Sequence, residues 1–227
     1  MNPQVVEAKW SNHCICILAP QMKKTTCKLA AITIGHPDGD VIGRQTVSSA
    51  EVALDGLVGD KHRGHTRGVW EGDKDPEGTI RRNERQWSGI STEELDGITR
   101  ELDLPEPLSA GDVSVNVCVS GIEGFSQLPA GSRLVFPSGA VLAIEEYNPP
   151  CLGMSEKISR LSPTRSGETL ARGAFSKASR GRRGIVGVVD VAGKINVGDD
   201  IVVEIFEVGN YALPFEAKPD TALNAKT

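Results

Sequence analysis

Leu128-Pro129-Ala130-Gly131-Ser132-Arg133-Leu134-Val135-Phe136 is laid out like Ile195-Asn196-Val197-Gly198-Asp199-Asp200-Ile201-Val202-Val203. Each has an aliphatic residue, a glycine three later, an aliphatic three beyond that, and then a strand. Two such turn-to-strand units point to a β-barrel. Ser138-Gly139 turns the first unit into the apolar alternating run from Val141 to Glu145, which predicts a hairpin. Working outward, Leu29–Ile34 and Gln45–Leu54 read as extended, joined by the turn chemistry of His36-Pro37-Asp38-Gly39-Asp40. Arg85–Ile90 and Gly184–Val191 read the same way. Val113, Val115, Val117 and Val119 alternate with Ser114, Asn116, Cys118 and Ser120, so a valine face turns inward and Asn116 and Cys118 turn the other way. The one clear helix follows the capping box Ser91-Thr92-Glu93-Glu94, with Leu95, Ile98 and Leu102 on one face.

At 227 residues the chain suffices for one β-rich domain with a sizeable core. Residues 1–28 read as an N-terminal extension, with Met22 a plausible natural start; residues 29–207 form the barrel domain and 208–227 a polar tail. In the extension, His13 and Cys14-Ile15-Cys16 offer either a metal site or a terminus without one. Lysines and arginines number 25 against 30 acids, net −5, which excludes a general attraction to nucleic acid or to an anionic membrane. Locally the balance reverses: between Glu156 and Gly184 eight basic residues face two glutamates, a candidate anion site. Five dispersed cysteines argue for a reducing, cytoplasmic setting rather than a disulfide framework. No apolar run is long enough to span a bilayer.

The chemistry centres on Tyr147-Asn148-Pro149-Pro150-Cys151-Leu152-Gly153-Met154. Two prolines hold the backbone extended and withhold two donors, placing Cys151 at a rim where the chain leaves the sheet. Cys151 is then either a small buried hydrophobe or a reactive thiol. A second candidate is the loop Gly56–Gly68, where His62, Arg63, His65 and Arg67 crowd donors among glycines; this suits an oxyanion or a solvated connector. The three-residue spacing of His62 and His65 is not the helical geometry of a zinc pair. The polar stretch Val69–Arg82 reads as a long surface excursion.

In order, Gly56-Leu57-Val58-Gly59-Asp60-Lys61-His62, Arg85-Gln86-Trp87-Ser88, Gly111-Asp112-Val113-Ser114-Val115-Asn116, Pro150-Cys151 and Arg183-Gly184-Ile185 resemble the MOSC family, named for the C-terminal domain of molybdenum-cofactor sulfurase. The resemblance runs from about Leu29 to Phe206. It implies a mainly β, pyruvate-kinase-like β-barrel with a few short peripheral helices. It further implies the molybdenum cofactor (molybdopterin) as ligand, with Cys151 as catalytic thiol, metal ligand or sulfur carrier. Lys61, His62, Arg63, Arg67, Arg85 and Arg183 would hold the anionic cofactor, with Asn116 adding hydrogen bonds. As an enzyme such a protein would reduce N-hydroxylated or N-oxygenated small molecules with an external electron-transfer partner; as a carrier it would need a separate sulfur donor. Pyridoxal phosphate enters only by family association; with no pyridoxal-phosphate sulfurase domain expected ahead of the barrel, the chain is not expected to mobilise sulfur from cysteine itself. Two other readings compete. A β-barrel module binding RNA or another phosphate ligand is disfavoured by the acidic total and 4% aromatics. A Cys–His hydrolase would pair Cys151 with His62 or His65.

Overall fold

The longest strand organises the molecule by pairing on both its flanks. In the computed structural model, which describes residues 22–36, 43–69, 75–161 and 163–207, the strands are β1 (Met22–Ile34), β2 (Gln45–Val47), β3 (Ser49–Ala53), β4 (Gly56–Leu57), β5 (Thr66–Gly68), β6 (Ile80–Arg82), β7 (Trp87–Ser91), β8 (Val117–Ser120), β9 (Arg133–Val135), β10 (Val141–Tyr147), β11 (Ile185–Val191), β12 (Gly193–Asn196) and β13 (Asp200–Phe206). Three helices, α1 (Thr92–Glu101), α2 (Leu152–Leu161) and α3 (Ala174–Ala178), sit outside them. The hydrogen-bonded order is β13-β9-β10-β11-β7-β8-β1, and β1 pairs with β13 to close a seven-stranded barrel. The predicted mainly β barrel with short peripheral helices is what the chain forms.

Both turn-to-strand units lie in this wall: β9 pairs with β10 on one side and β13 on the other. All these pairings are antiparallel except β7–β8. A parallel pair needs a crossover, and α1 supplies it. Its predicted capping box is present, with Ser91 accepting from the Glu94 backbone N–H and the Glu94 side chain accepting from the Ser91 N–H. Ser91→Ala is expected to cost about 1 kcal/mol, read as a lower urea midpoint with an unchanged denaturant slope.

The core has two parts. Leu29, Ile32, Trp87, Val117, Val119, Leu134, Leu142 and Ile201 fill the barrel. Ile90, Ile98, Val113, Val115, Cys118, Met154, Ile158 and Phe175 form a second cluster beneath the helices. The walls at β7 and β8 are therefore buried on both faces.

Two expectations are corrected here. The valine alternation is not one continuous strand: residues before Val117 form turns, Ser114 has φ 54°, and Val113 and Val115 pack in the outer cluster while Val117 and Val119 face inward. Cys118 does turn opposite to Val117 and Val119, into the outer core. The barrel wall also includes Met22–Lys28, expected in the extension, because these residues pair with β13. The expectations for residues 1–21, including His13, Cys14 and Cys16, for the turn residues 37–40, for part of the Val69–Arg82 excursion and for the tail 208–227 lie outside the described residues.

Candidate functional site

Cys151 is placed by the exit from β10. The Asn148 N–H donates to the Gly184 carbonyl at 2.9 Å, Pro149 and Pro150 carry the chain off the sheet, and α2 begins one residue after the cysteine. The Cys151 carbonyl accepts from the Ser155 N–H at 3.2 Å and from Ser176 Oγ at 3.1 Å. Its Sγ accepts from the Met154 N–H at 3.4 Å. The sulfur thus occupies the capping position of a helix N-terminus, where free N–H groups favour negative charge. Among the described residues Cys151 is the exposed free cysteine. Cys27 and Cys118 are buried, and desolvation pushes both thiols up to about 12, so neither competes as a nucleophile.

Cys151 lines a cavity of about 400 Å³ that also receives His62, Arg67, Arg85, Asn116 and Arg183. Six of the eight predicted site residues therefore converge from five separate stretches of chain. Arg183 is buried and precedes Gly184, whose φ is 95° and where an added Cβ would lie 2.1 Å from the Gly89 carbonyl oxygen. Only glycine permits that approach of β11 to β7, and it fixes the arginine beside the pocket. Arg183 Nη2 donates to the Val113 carbonyl at 2.7 Å, and the guanidinium lies 5.8 Å from the Phe175 ring centroid. Its Nε and Nη1 are buried with no hydrogen-bond partner among the described residues. Desolvation pushes this guanidinium down to about 10, opposed by the nearby Cys151 and reinforced by Arg85. Arg85 is likewise pushed down by burial, with Glu146 opposing, and its Nη2 donates to Asn148 Oδ1 at 3.0 Å. Arg67 pairs with Glu84, its Nε donating to Oε1 at 3.2 Å.

Asn116 is in the pocket wall as a clamp. Its Oδ1 accepts from the Ser88 N–H and Oγ, and its Nδ2 donates to the Thr33 carbonyl and, at 2.7 Å, to Asp60 Oδ2. Asp60 was not anticipated as a site residue, yet it is the hub of this wall. Buried, it accepts from the Gly35 N–H at 2.8 Å, Arg44 Nη1 at 2.8 Å and the His62 N–H at 2.9 Å. Burial pushes its carboxyl up, but the His62 contact, the Arg44 charge and the backbone donors outweigh that and hold it well below the usual carboxylate range. The stability it contributes is full above the unfolded carboxylate value and is lost as pH falls through that value toward the depressed folded one. Asp60→Asn is expected to flatten this acid limb and to cost roughly 3–5 kcal/mol near neutrality, because Arg44 loses its buried counter-charge; thermal unfolding at several pH values reads both.

Lys61 and Arg63 do not line the cavity. The tight turn at Asp60–Arg63 sends neighbouring side chains apart: the Lys61 stem passes Gly35, and Arg63 Nε donates to Asp55 Oδ1 at 2.8 Å. His65 also lies outside the lining. Sequence reasoning missed Glu146 and Asn148. A register shift between Ile144 and Glu146 breaks the alternation of β10, so Glu145 pairs outward with Arg82 while Glu146 joins the pocket.

A closed barrel with a rim cysteine at a helix N-terminus and converging arginines defines the class, and the sequence comparison agrees. The sequence model of the MOSC domain matches residues 60–202, and the chain belongs to that family. YuaD of Bacillus subtilis strain 168, whose name refers to metal-sulfur cluster biosynthesis, is 36% identical over 155 residues, covering 67% of this chain and 78% of YuaD. A crystal structure of B. subtilis YuaD superposes with a TM-score of 0.76 at 30% identity, covering 82% of this chain and all of that one. A hypothetical protein of known structure shares the fold at TM-score 0.52 and 12% identity, covering 79% of this chain and 69% of its own.

Proposed function

We propose that the pocket takes an anionic ligand that brings a metal or sulfur to Cys151, and that this ligand is the molybdenum cofactor. The observation that carries the reading is the pair of buried, unpartnered Arg183 nitrogens in a cavity that also presents an exposed thiol. Buried donors left unmade are costly in a folded protein, and a phosphate or similar anion supplies their acceptors. Among the described residues no three His, Cys, Asp or Glu gather as a metal site, so a metal here would bring other ligands with it, as a pterin dithiolene does. Thiolate suits such a thiophilic centre.

In this reading Arg183 and Arg85 hold the anionic part, Asn116 and Asp60 keep the wall in place, and Cys151 presents its sulfur. When bound, the cofactor would supply oxygen removal from N-hydroxylated or N-oxygenated small molecules, with electrons from a partner protein. The alternative version has Cys151 carrying sulfur from a separate donor, in line with the name of YuaD. The chain's own part is the same in both: binding the anion and orienting the thiol. No helix among the described residues is long and apolar enough to cross a membrane.

The test is metal and pterin analysis of protein from a cofactor-competent host, beside intact-mass measurement under non-reducing conditions. Retained molybdenum supports the cofactor version, and a persulfide on Cys151 without metal supports the carrier version. Protein with neither, under conditions that load a control molybdoenzyme, would sink both.

A further inference from the structure

His62 brings into the pocket an imidazole whose orientation is already set. Its Nδ1 lies 3.2 Å from Asp60 Oδ1, and the same oxygen accepts the His62 backbone N–H at 2.9 Å. Asp60 is buried and held as a carboxylate by Arg44, Gly35 and Asn116, so it can only accept hydrogen bonds. A proton on Nδ1 satisfies that contact; a bare nitrogen would set its lone pair against the carboxylate. Arg44 Nη2 also approaches Nδ1, but at 3.4 Å, and Arg44 Nη1 is committed to Asp60 Oδ2 at 2.8 Å. The carboxylate is the nearer partner and fixes the tautomer, as second-shell carboxylates do elsewhere.

We infer that Asp60 holds His62 in its Nδ1–H form and that His62 Nε2 is the pocket's proton acceptor, presented to a ligand bearing an acidic O–H or S–H beside Cys151. This rests on the reading of the pocket as the place where Cys151 meets its ligand. The matching groups are the hydroxyl of an N-hydroxylated small molecule and the terminal S–H of a persulfide. The proton leaves the ligand's oxygen or sulfur for Nε2, the resulting imidazolium turns its Nδ1–H to the Asp60 carboxylate, and the proton returns by the same path. No electrons move in this step. The other charged groups lining the cavity are Arg67, Arg85, Arg183 and Glu146. Arg85 and Arg183 hold a ligand's anionic end, Arg67 pairs with Glu84 and Glu146 lies against the Arg85 charge, which leaves His62 as the lining side chain whose ring is set by a buried carboxylate to accept a proton and return it.

The experiment uses metal-free full-length protein labelled with ¹⁵N, observing the histidine rings by long-range proton–nitrogen correlation and assigning His62 with a His62→Gln variant. The expected result is a protonated Nδ1 and a bare Nε2, with the Nε2 resonance moving on titration with N-hydroxybenzamidine or on conversion of Cys151 to its persulfide. The arm that moves it tells which ligand the site takes. Asp60→Asn should abolish the tautomer preference, and Arg44→Gln should preserve it. If Asp60→Asn does not fold, the wild-type tautomer and ligand response decide the matter. A protonated Nε2 in the free protein, or no Nε2 response in either arm, overturns the inference. Neither result touches molybdenum retention, which judges the proposed function separately.

Discussion

Cys151→Ala protein, made beside wild type in a cofactor-competent host, is expected to carry molybdenum and pterin at background while wild type carries them near stoichiometrically. The sulfur is exposed and accepts one backbone N–H at the head of α2, so its removal opens no core cavity. Stability should fall by no more than about 1 kcal/mol, the usual cost of a lost helix cap. Loss of metal therefore cannot be blamed on unfolding, and melting curves that keep both proteins folded at the assay temperature make that check. Cys151→Ser sharpens the result. Serine can still cap the helix, but its hydroxyl is a hard, protonated donor where a soft thiolate is wanted, so it too should lose the metal. Retention in both variants would remove Cys151 from the ligand set.

Arg183→Met is expected to make the protein more stable and at the same time unable to hold its anion. The guanidinium sits in the outer core with two nitrogens unpartnered among the described residues, and burial pushes it down to about 10. A base depressed in the folded state opposes folding at every pH below that folded value, and the cost is relieved only above it. Its size is on the order of 3 kcal/mol. Methionine fills similar volume without the charge, and replacements of buried ions by apolar residues have been stabilising by roughly 1–4 kcal/mol; the lost hydrogen bond to the Val113 carbonyl returns about 1 kcal/mol of that. Two charge-assisted hydrogen bonds to an anion are worth roughly 3–6 kcal/mol together, so affinity for inorganic phosphate should fall at least about 100-fold. Urea unfolding and phosphate calorimetry read the two halves. A less stable variant with unchanged phosphate binding would mean that Arg183 serves the core and not the ligand.

The barrel was legible because its strands advertise themselves. The paired Leu128–Phe136 and Ile195–Val203 units, the turn at Ser138-Gly139 and the capping box at Ser91 are local signals, and each local preference agrees with the global fold. What stayed hidden is tertiary. Asp60 is one acid among 30 until Gly35, Arg44 and Asn116 close around it from other stretches of the chain. Glu146 belongs to the pocket only through a register shift, which alternation cannot foresee. Lys61 and Arg63 flank His62 in sequence and match it in donor chemistry, but a tight turn parts their side chains, so adjacency misled. Helix α2 could have been found: Met154, Ile158 and Leu161 recur at helical spacing, and Met154 and Ile158 do anchor it in the outer core.

The wall has a seam, and the seam sets an order of events. Every residue that lines the pocket precedes Gly184 in the chain, yet among the described residues β1 has no strand partner along Met22–Cys27 until Ile201–Phe206 has been made and folded back upon it. A ribosome that has just released Asn196 from its tunnel has therefore delivered all of the site's chemistry on an open, curling sheet with a bare edge. Bare edges recruit other strands. In the growing chain the thiol and arginines thus come before β13 closes the ring, and the contact that closes it joins strands from opposite ends of the barrel domain.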